Sequence, residues 1–313
     1  DLHSFPTRRS SDLHIGFDAL INYLSATGFP DPGYERLWPA DLHVIGKGIT
    51  RFHCIIWPAM LLSAGVALPR AVFAHGYVQW GGTKMSKTAG APVTLPDAIG
   101  RHGADALRYF LLREVGFAND GDFSWERFDA RYSADLADGL GNLASRSLTM
   151  IVKYRDGLIP ATGADTPLDR AGDQAVAAYA SAMNQIDLSG GAQAAWDLVS
   201  AANSYIVATA PWSLAKQQRE SELDAALGAL GRCMCRLAVL TSPFMPGKAQ
   251  RLWELLGGPG ELSRSAWTNA ASPAVGGWHV STPEGLFPRL VREPTEAEAI
   301  WRSEERRVGK ECR

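Results

Sequence analysis

Ala74-His75-Gly76-Tyr77-Val78-Gln79-Trp80-Gly81-Gly82-Thr83-Lys84-Met85-Ser86-Lys87-Thr88-Ala89-Gly90 decides how the rest of the chain is read. The apolar run from Ala71 to Ala74 has strand character, and Gly81-Gly82 turns the chain. Lys84, Ser86, Lys87 and Thr88 follow within five residues, and Gly90 closes the segment. A glycine-flanked loop can move, and two nearby ammonium groups can grip a polyanion. A Lys-x-x-Lys pair alone equally describes a solvated hairpin tip, so the flanking stretches decide.

Upstream, Leu42-His43-Val44-Ile45 reads as a short buried strand with Gly46 as its sharp exit. Ile49, Phe52, Ile56 and Met60 then recur at helical spacing, and the helix is expected to run on to Leu68 and end near Pro69. Strand, glycine, helix is the order that places a ligand at the carboxyl end of a parallel strand. Further upstream, Phe17, Leu20, Ile21 and Leu24 mark a buried helix that Gly28 stops. Downstream, residues 97–113 form an amphipathic helix broken at Gly103, and residues 120–124 a turn whose Ser124 caps the next helix. That helix, residues 125–154, has an apolar stripe of Phe128, Tyr132, Leu136, Leu140 and Leu143. Asp138, Asn142 and Arg146 recur every four residues on another face. Residues 155–172 are rich in Gly, Pro and Asp and read as a loop. Amphipathic stretches at 173–186, 192–209 and 220–240, joined by short connections, predict an antiparallel bundle, and 243–256 adds a last helix.

The 313 residues carry 31 Lys and Arg against 33 Asp and Glu, a net charge of −2. A protein that binds RNA through bulk charge is basic, so any RNA contact here must use a local patch and stacking. No apolar run approaches the roughly 20 residues of a membrane-spanning helix, and no secretory signal is evident. Cys54, Cys233 and Cys235 are too few for a disulfide framework, which suits a reducing, cytosol-like compartment. Cys233-x-Cys235 lies in an apolar helix and reads as packing, so no metal site is expected.

The two ends read differently from the rest. Leu2–Leu13 and Arg302–Arg313 are translations of opposite strands of one oligonucleotide that resembles a synthetic sequencing adapter. Residues 1–13 and 302–313 are therefore expected to be artefacts, as any fusion scar would be. Without them the balance is 24 basic to 28 acidic residues. The remainder, 14–301, has no start methionine and is expected to be an N-terminally truncated fragment.

In combination, these stretches resemble class I aminoacyl-tRNA synthetases, and methionyl-tRNA synthetase most of all. Lys84-Met85-Ser86-Lys87-Thr88 is similar to the family's Lys-Met-Ser-Lys-Ser signature. Gly46-Lys47-Gly48-Ile49 with Phe52-His53 is similar to its Gly-Lys-Asp-Ile-x-x-Phe-His, with Gly48 in place of aspartate. Phe17-Asp18-Ala19-Leu20 matches the helix that lines the family's methionine pocket. Ala134 to Arg146 resembles its first anticodon-domain helix, Pro211-Trp212 its Pro-Trp pair, and Gly285 to Leu290 the end of its core. His14-Ile15-Gly16 imitates the start of the family's His-Ile-Gly-His, but Phe17 follows, so it is read as junction debris.

The resemblance implies an α/β Rossmann-like nucleotide-binding domain, of which residues 14–95 are the C-terminal part. A connecting segment at 96–124 follows, then an all-α helix-bundle anticodon-binding domain at 125–257 and a tail at 258–301. It implies methionine–tRNA ligase activity in the cytoplasm, with ATP and its Mg2+, methionine and tRNA(Met) as substrates and partners, and neither DNA nor membrane. The His-Ile-Gly-His half, and any zinc knuckle, would lie outside this chain, which is expected to be inactive alone. By the same resemblance Lys87, assisted by Lys84, is catalytic, and Gly46, Lys84, Ser86 and Lys87 bind ATP. Ala19, Leu20, Tyr23, Ile49 and His53 border the methionine. Asn142, Arg146, Pro211 and Trp212 read the anticodon, with Asp138 standing where asparagine is usual. Two alternatives stay open: another class I synthetase of the leucyl, valyl or cysteinyl type, and a stand-alone tRNA-binding module. The Phe-Asp-Ala-Leu and Phe-His context favours methionine, and the lysine signature favours an enzyme.

Overall fold

The computed structural model describes residues 18–80, the backbone of 83–84, and residues 93–114, 120–163, 165–264, 267–282 and 285–288. Both expected artefact ends, and Ser86 and Lys87 of the signature, lie outside the described residues.

The first unit is small. Helix α1, residues 18–25, buries Leu20 and Leu24, which lie one turn apart on the same face. Strand β1 (His43–Gly46) pairs in parallel with β2 (Val72–His75), in a register that sets Gly46 opposite His75. Their crossover is a 3₁₀ turn, Lys47–Ile49, a widened i→i+5 segment, Phe52–Ile56, and helix α2, Trp57–Ser63. The sequence pattern carries this helix to Leu68, but the structure ends it at Ser63. Gly65 takes φ 68°, its N–H donates to Leu62 O, and Val66 N–H donates to Leu61 O at 2.9 Å. That is the left-handed glycine stop, whose paired bonds satisfy the last carbonyls of the helix. Leu20, Leu24, Trp38, Trp57 and Leu61 make the core of this unit.

A hairpin follows. Strand β3 (Val78–Trp80) runs antiparallel to β4 (Thr83–Lys84) and parallel to β5 (Gly121–Asp122). Sequence composition makes 120–124 a turn, since Asp and Gly are poor strand formers. Tertiary pairing overrides that preference: Gly121 N–H donates to Tyr77 O, Phe123 N–H donates to Gln79 O, and Phe123 is buried beneath.

The remainder is helical. Helices α3 (Leu95–His102) and α4 (Ala104–Glu114) meet at Gly103, where φ is 89°. Ser124 caps α5 (Trp125–Arg131) by accepting from Arg127 N–H. The expected single helix then widens into a π-helical segment, Tyr132–Gly141, before α6, Asn142–Arg155. Its glycines explain the widening. A Cβ on Gly141 would stand 2.8 Å from Leu136 O, and one on Gly139 3.1 Å from Ala134 O, each a carbonyl five residues back.

Helix α7 (Pro167–Asn184) starts inside the stretch that composition reads as loop. Thr166 and Asp169 form a capping box with Pro167 in the first turn, a start signal that the Gly/Pro content of the segment masks. Helices α8 (Leu188–Thr209), α9 (Pro211–Lys216), α10 (Glu220–Thr241), α11 (Pro246–Leu255) and α12 (Thr268–Ala271) complete the order. Helix α10 is buried without a break from residue 226 to 238. Inside it, Arg232 grips the Asp169 carboxylate with two bonds of 2.7 and 2.9 Å. Arg236, one turn on, donates to Asp169 O and Ala270 O. Gly172 makes room for it, since a Cβ there would lie 1.9 Å from Arg236 Nη1. This second core reaches from Ala98 to Phe287, so Ala270, Val275, Val280, Leu286 and Phe287 pack on the bundle. Among the described residues, no helix is long and apolar enough to cross a membrane.

Candidate active site

His43 at the start of β1, Tyr23 on α1 and His53 in the crossover converge on one aromatic cluster. Tyr23 Oη lies 2.8 Å from His53 Nε2, although the two residues come from separate helices. His53 Nδ1 stands 3.0 Å from the carbonyl of Ile49. A carbonyl only accepts, so in the neutral imidazole Nδ1 carries the proton and Nε2 accepts from the Tyr23 hydroxyl. His43 packs against the Tyr23 ring at 4.3 Å, with Trp38 and Trp57 each 6.0 Å from members of the same group. His43 is 5% exposed and its Nε2 has no hydrogen-bond partner. Burial, and then the neighbouring His53, hold the His43 imidazole below its ordinary range, so it stays neutral.

Of the expected methionine-site residues, the structure therefore brings Tyr23, His53 and the Ile49 backbone together. Ile49 is 43% exposed, and Ala19 is also exposed. Leu20 turns into the small core, 3% exposed. His43, Trp38 and Trp57 were not singled out by the sequence. The inward–outward alternation of the strand, His43 and Ile45 in and Val44 out, was the signal for the first of them. A 690 Å³ hollow outside α2, lined by Ile21, Leu24, Ile55, Ile56, Trp57 and Met60, holds none of the expected residues.

Gly46 ends β1 beside His75, whose Cε1 would be 3.9 Å from a Cβ at position 46. Gly48 has a tighter neighbour: a Cβ there would lie 2.0 Å from the Tyr77 hydroxyl. The tyrosine thus occupies the room where a side chain at position 48 would begin. Lys47 Nζ is 5.2 Å from the centroid of the Tyr77 ring and 2.6 Å from Asp120 Oδ1. Lys84 sits on β4, its backbone opposite Gln79.

The expected RNA-reading residues are distributed over the bundle. Asp138 is exposed within the π-helical segment, and Asn142 and Arg146 are half-buried on α6. Pro211 is buried at the start of α9, after Ala210 in the left-handed region at φ 43°. Trp212 is 48% exposed, so it presents its ring to solvent rather than wedging into the core. Cys233 and Cys235 are buried in α10, which pushes both thiols up to about 12. Among the described residues, no group of three or more His, Cys, Asp or Glu could hold a metal ion.

Comparison with known proteins finds relatives of both portions of the chain. The family model described as "tRNA synthetases class I (M)" matches residues 4–148, and that of the "anticodon binding domain of methionyl tRNA ligase" matches 159–304. The chain is 43% identical to a methionine–tRNA ligase of Mesorhizobium japonicum over 288 residues, covering 90% of this chain and 55% of that one. It is 41% identical to that of Bacillus subtilis, covering 90% and 44%. The structure resembles Mycobacterium tuberculosis methionyl-tRNA synthetase in complex with methionyl-adenylate, with a TM-score of 0.80 and 37% identity, over 88% of this chain and 56% of that one. The chain thus spans about half the length of the relatives it matches. With a class I catalytic portion and an anticodon-binding portion in one chain, it belongs to the methionyl-tRNA synthetase family.

Proposed function

We propose that this chain serves the activation of methionine by ATP and its transfer to tRNA(Met) in the cytoplasm. The hydrogen-bond chain from Tyr23 through His53 to the Ile49 carbonyl carries this reading. With its hydroxyl donating a hydrogen bond to His53, Tyr23 presents, with its neighbours, a wall of rings and the Ile49 side chain. Such a wall suits an unbranched thioether better than a charged or amide side chain, which would need partners of its own.

Methionine's carboxylate attacks the α-phosphate of ATP, which enters as its Mg2+ complex, and pyrophosphate leaves. Charge grows on the leaving phosphates, and the Lys87 ammonium, with Lys84 assisting, stabilises it as the loop closes. Gly46 and Ser86 approach the nucleotide. Asn142, Arg146 and the exposed Trp212 next to Pro211 meet the anticodon loop, the tryptophan by stacking on a splayed base, and Asp138 contributes least because a carboxylate cannot donate. The full reaction also draws on the part of the relatives that this chain does not span.

The test joins a relative's N-terminal half before Phe17 and measures adenylate formation at saturating ATP. Lys87→Ala should slow it by roughly two to three powers of ten, the scale of one lost electrostatic partner, and leave methionine binding in place. His53→Ala should weaken methionine binding instead. Adenylation at the unmutated rate in Lys87→Ala would overturn the role of the loop. Methionine-dependent ATP–pyrophosphate exchange by the unfused chain would show that it needs no second half.

A further inference from the structure

The two halves of the candidate site stand on different cores. Tyr23 packs on the small core together with Phe52, beside His53. The β3–β4 hairpin, which leads into the lysine signature, packs on the bundle instead. Val78 and Trp80 lie against that core, and Trp80 stacks 6.0 Å from Phe123. Chemistry that takes one group from each side needs their spacing fixed, because a misplacement of about 1 Å costs on the order of a hundredfold in rate.

One side chain joins the two. Asp120 Oδ1 accepts from Lys47 Nζ at 2.6 Å, at the corner after β1. The same oxygen accepts from Tyr77 N–H at 2.7 Å, at the root of the hairpin. Its second oxygen accepts from Gln79 Nε2 at 3.1 Å, within β3. Tyr77 completes the joint, with Lys47 over its ring and its hydroxyl in the space left by Gly48. Bonds to an ionised carboxylate are shorter and stronger than neutral ones, and these three reach two separate segments, the β1 corner and the first strand of the hairpin.

We propose that Asp120 is a positioning residue: through Lys47 and Tyr77 it ties the β1 corner to the hairpin, so that Gly46 and Lys84 keep one spacing across a bound nucleotide. The functional half of this rests on the nucleotide reading given above. The tie itself does not.

The experiment uses the chain joined to a relative's N-terminal half, as in the adenylation test, and two readouts, amide hydrogen exchange over residues 76–80 and titration with ATP. Asp120→Ala removes every acceptor, and exchange there should rise about tenfold or more, with ATP binding weakened by a similar factor. Asp120→Asn keeps one oxygen for Tyr77 N–H but loses the charge that holds Lys47. It should leave exchange within about threefold of the parent and still weaken ATP binding several-fold, as Lys47→Met does. The double variant Lys47→Met/Asp120→Asn should be no weaker than either single one, because the pair acts as a unit. Circular dichroism confirms that each variant keeps the helical bundle.

Unchanged exchange in Asp120→Ala overturns the tie. Additive losses in the double variant, or ATP binding untouched by Asp120→Asn, overturn the positioning role while the nucleotide reading stands. A parent chain that binds no ATP, with exchange still raised in Asp120→Ala, overturns the nucleotide reading and the positioning role with it, and leaves the tie as packing alone.

Discussion

The two cores of this molecule differ in how completely they close. In the bundle, α10 is buried from residue 226 to 238, and even its charged groups are paired inside. Around β1 and β2, only five of the described residues form a buried cluster, while Leu37, Val44, Ile55 and Leu62 are all more than 60% exposed. The stabilisation from burial scales with apolar area removed from water. The bundle should therefore carry most of the chain's stability, and the α/β unit should yield first.

The largest effect that can test this is in the bundle. Arg232→Ala would leave the Asp169 carboxylate buried without its bidentate partner and should cost about 3–5 kcal/mol. Urea denaturation followed by circular dichroism measures it. Replacing both partners, Arg232→Met with Asp169→Leu, should cost far less, because no charge is then stranded. If the single change is as mild as the double one, the closed character assigned to the bundle is wrong.

Acid should separate the two units without any mutation. Folding holds the His43 pKa below its unfolded value of about 6.5, so the unfolded chain binds more protons below that pH. The stability this neutral histidine contributes is complete above about pH 6.5 and drains away as pH falls toward the folded value. Asp169 follows a lower window. Burial would raise its carboxyl, but hydrogen bonds from Arg232 and Thr166 outweigh that and hold it below the usual range. Its contribution is complete above about pH 4 and is lost only as pH falls further, through the folded value. Fluorescence of Trp38 and Trp57 should therefore change at a higher pH than the loss of helicity. Coincident transitions would show that the two cores unfold as one.

A smaller effect sits where the helix after α5 widens into the π-helical segment. Gly141→Ala would press a methyl group to 2.8 Å from Leu136 O and against the Phe287 ring. The cost should be about 1–3 kcal/mol, the range for overpacking, although alanine is the better helix former. A gain in melting temperature would mean that the segment relaxes to a regular α-helix at no cost.

The same contrast governs what could be read from the chain beforehand. Helices α8 and α10 were legible within a few residues, because long amphipathic periodicity reports local geometry. Motif spelling pointed to Tyr23 and His53 one by one, but their hydrogen bond and their companions His43, Trp38 and Trp57 join separate stretches that meet only by folding. β5 was not legible at all: Gly121-Asp122 has no strand propensity, and its pairing with β3 is decided by the flanking Asp120 and Phe123, whose partners Tyr77 and Gln79 come from across the fold. The π-helical segment was hidden for a related reason. Glycine spacing permits a wide turn, but the Trp196 Nε1–H that donates to Asp135 O arrives from α8.

The smallest effect on stability should come from the most conspicuous exposed ring. Trp212 is 48% exposed on α9, whereas Leu214, two residues on, is 8% exposed and belongs to the bundle core. Trp212→Ala should therefore change the unfolding free energy by no more than about 0.5 kcal/mol, the usual range for a surface substitution. Leu214→Ala, as the matched control, should cost about 2–5 kcal/mol through the cavity it leaves. A ring kept in water at the head of a closed core contributes little to folding, so its worth must be sought in a partner. Titration with tRNA(Met) should show Trp212→Ala weaker by about 1–3 kcal/mol, the value of one stacked base. Helicity and affinity falling together would make Trp212 a structural wedge after all, while unchanged affinity with unchanged helicity would remove it from the RNA-reading face.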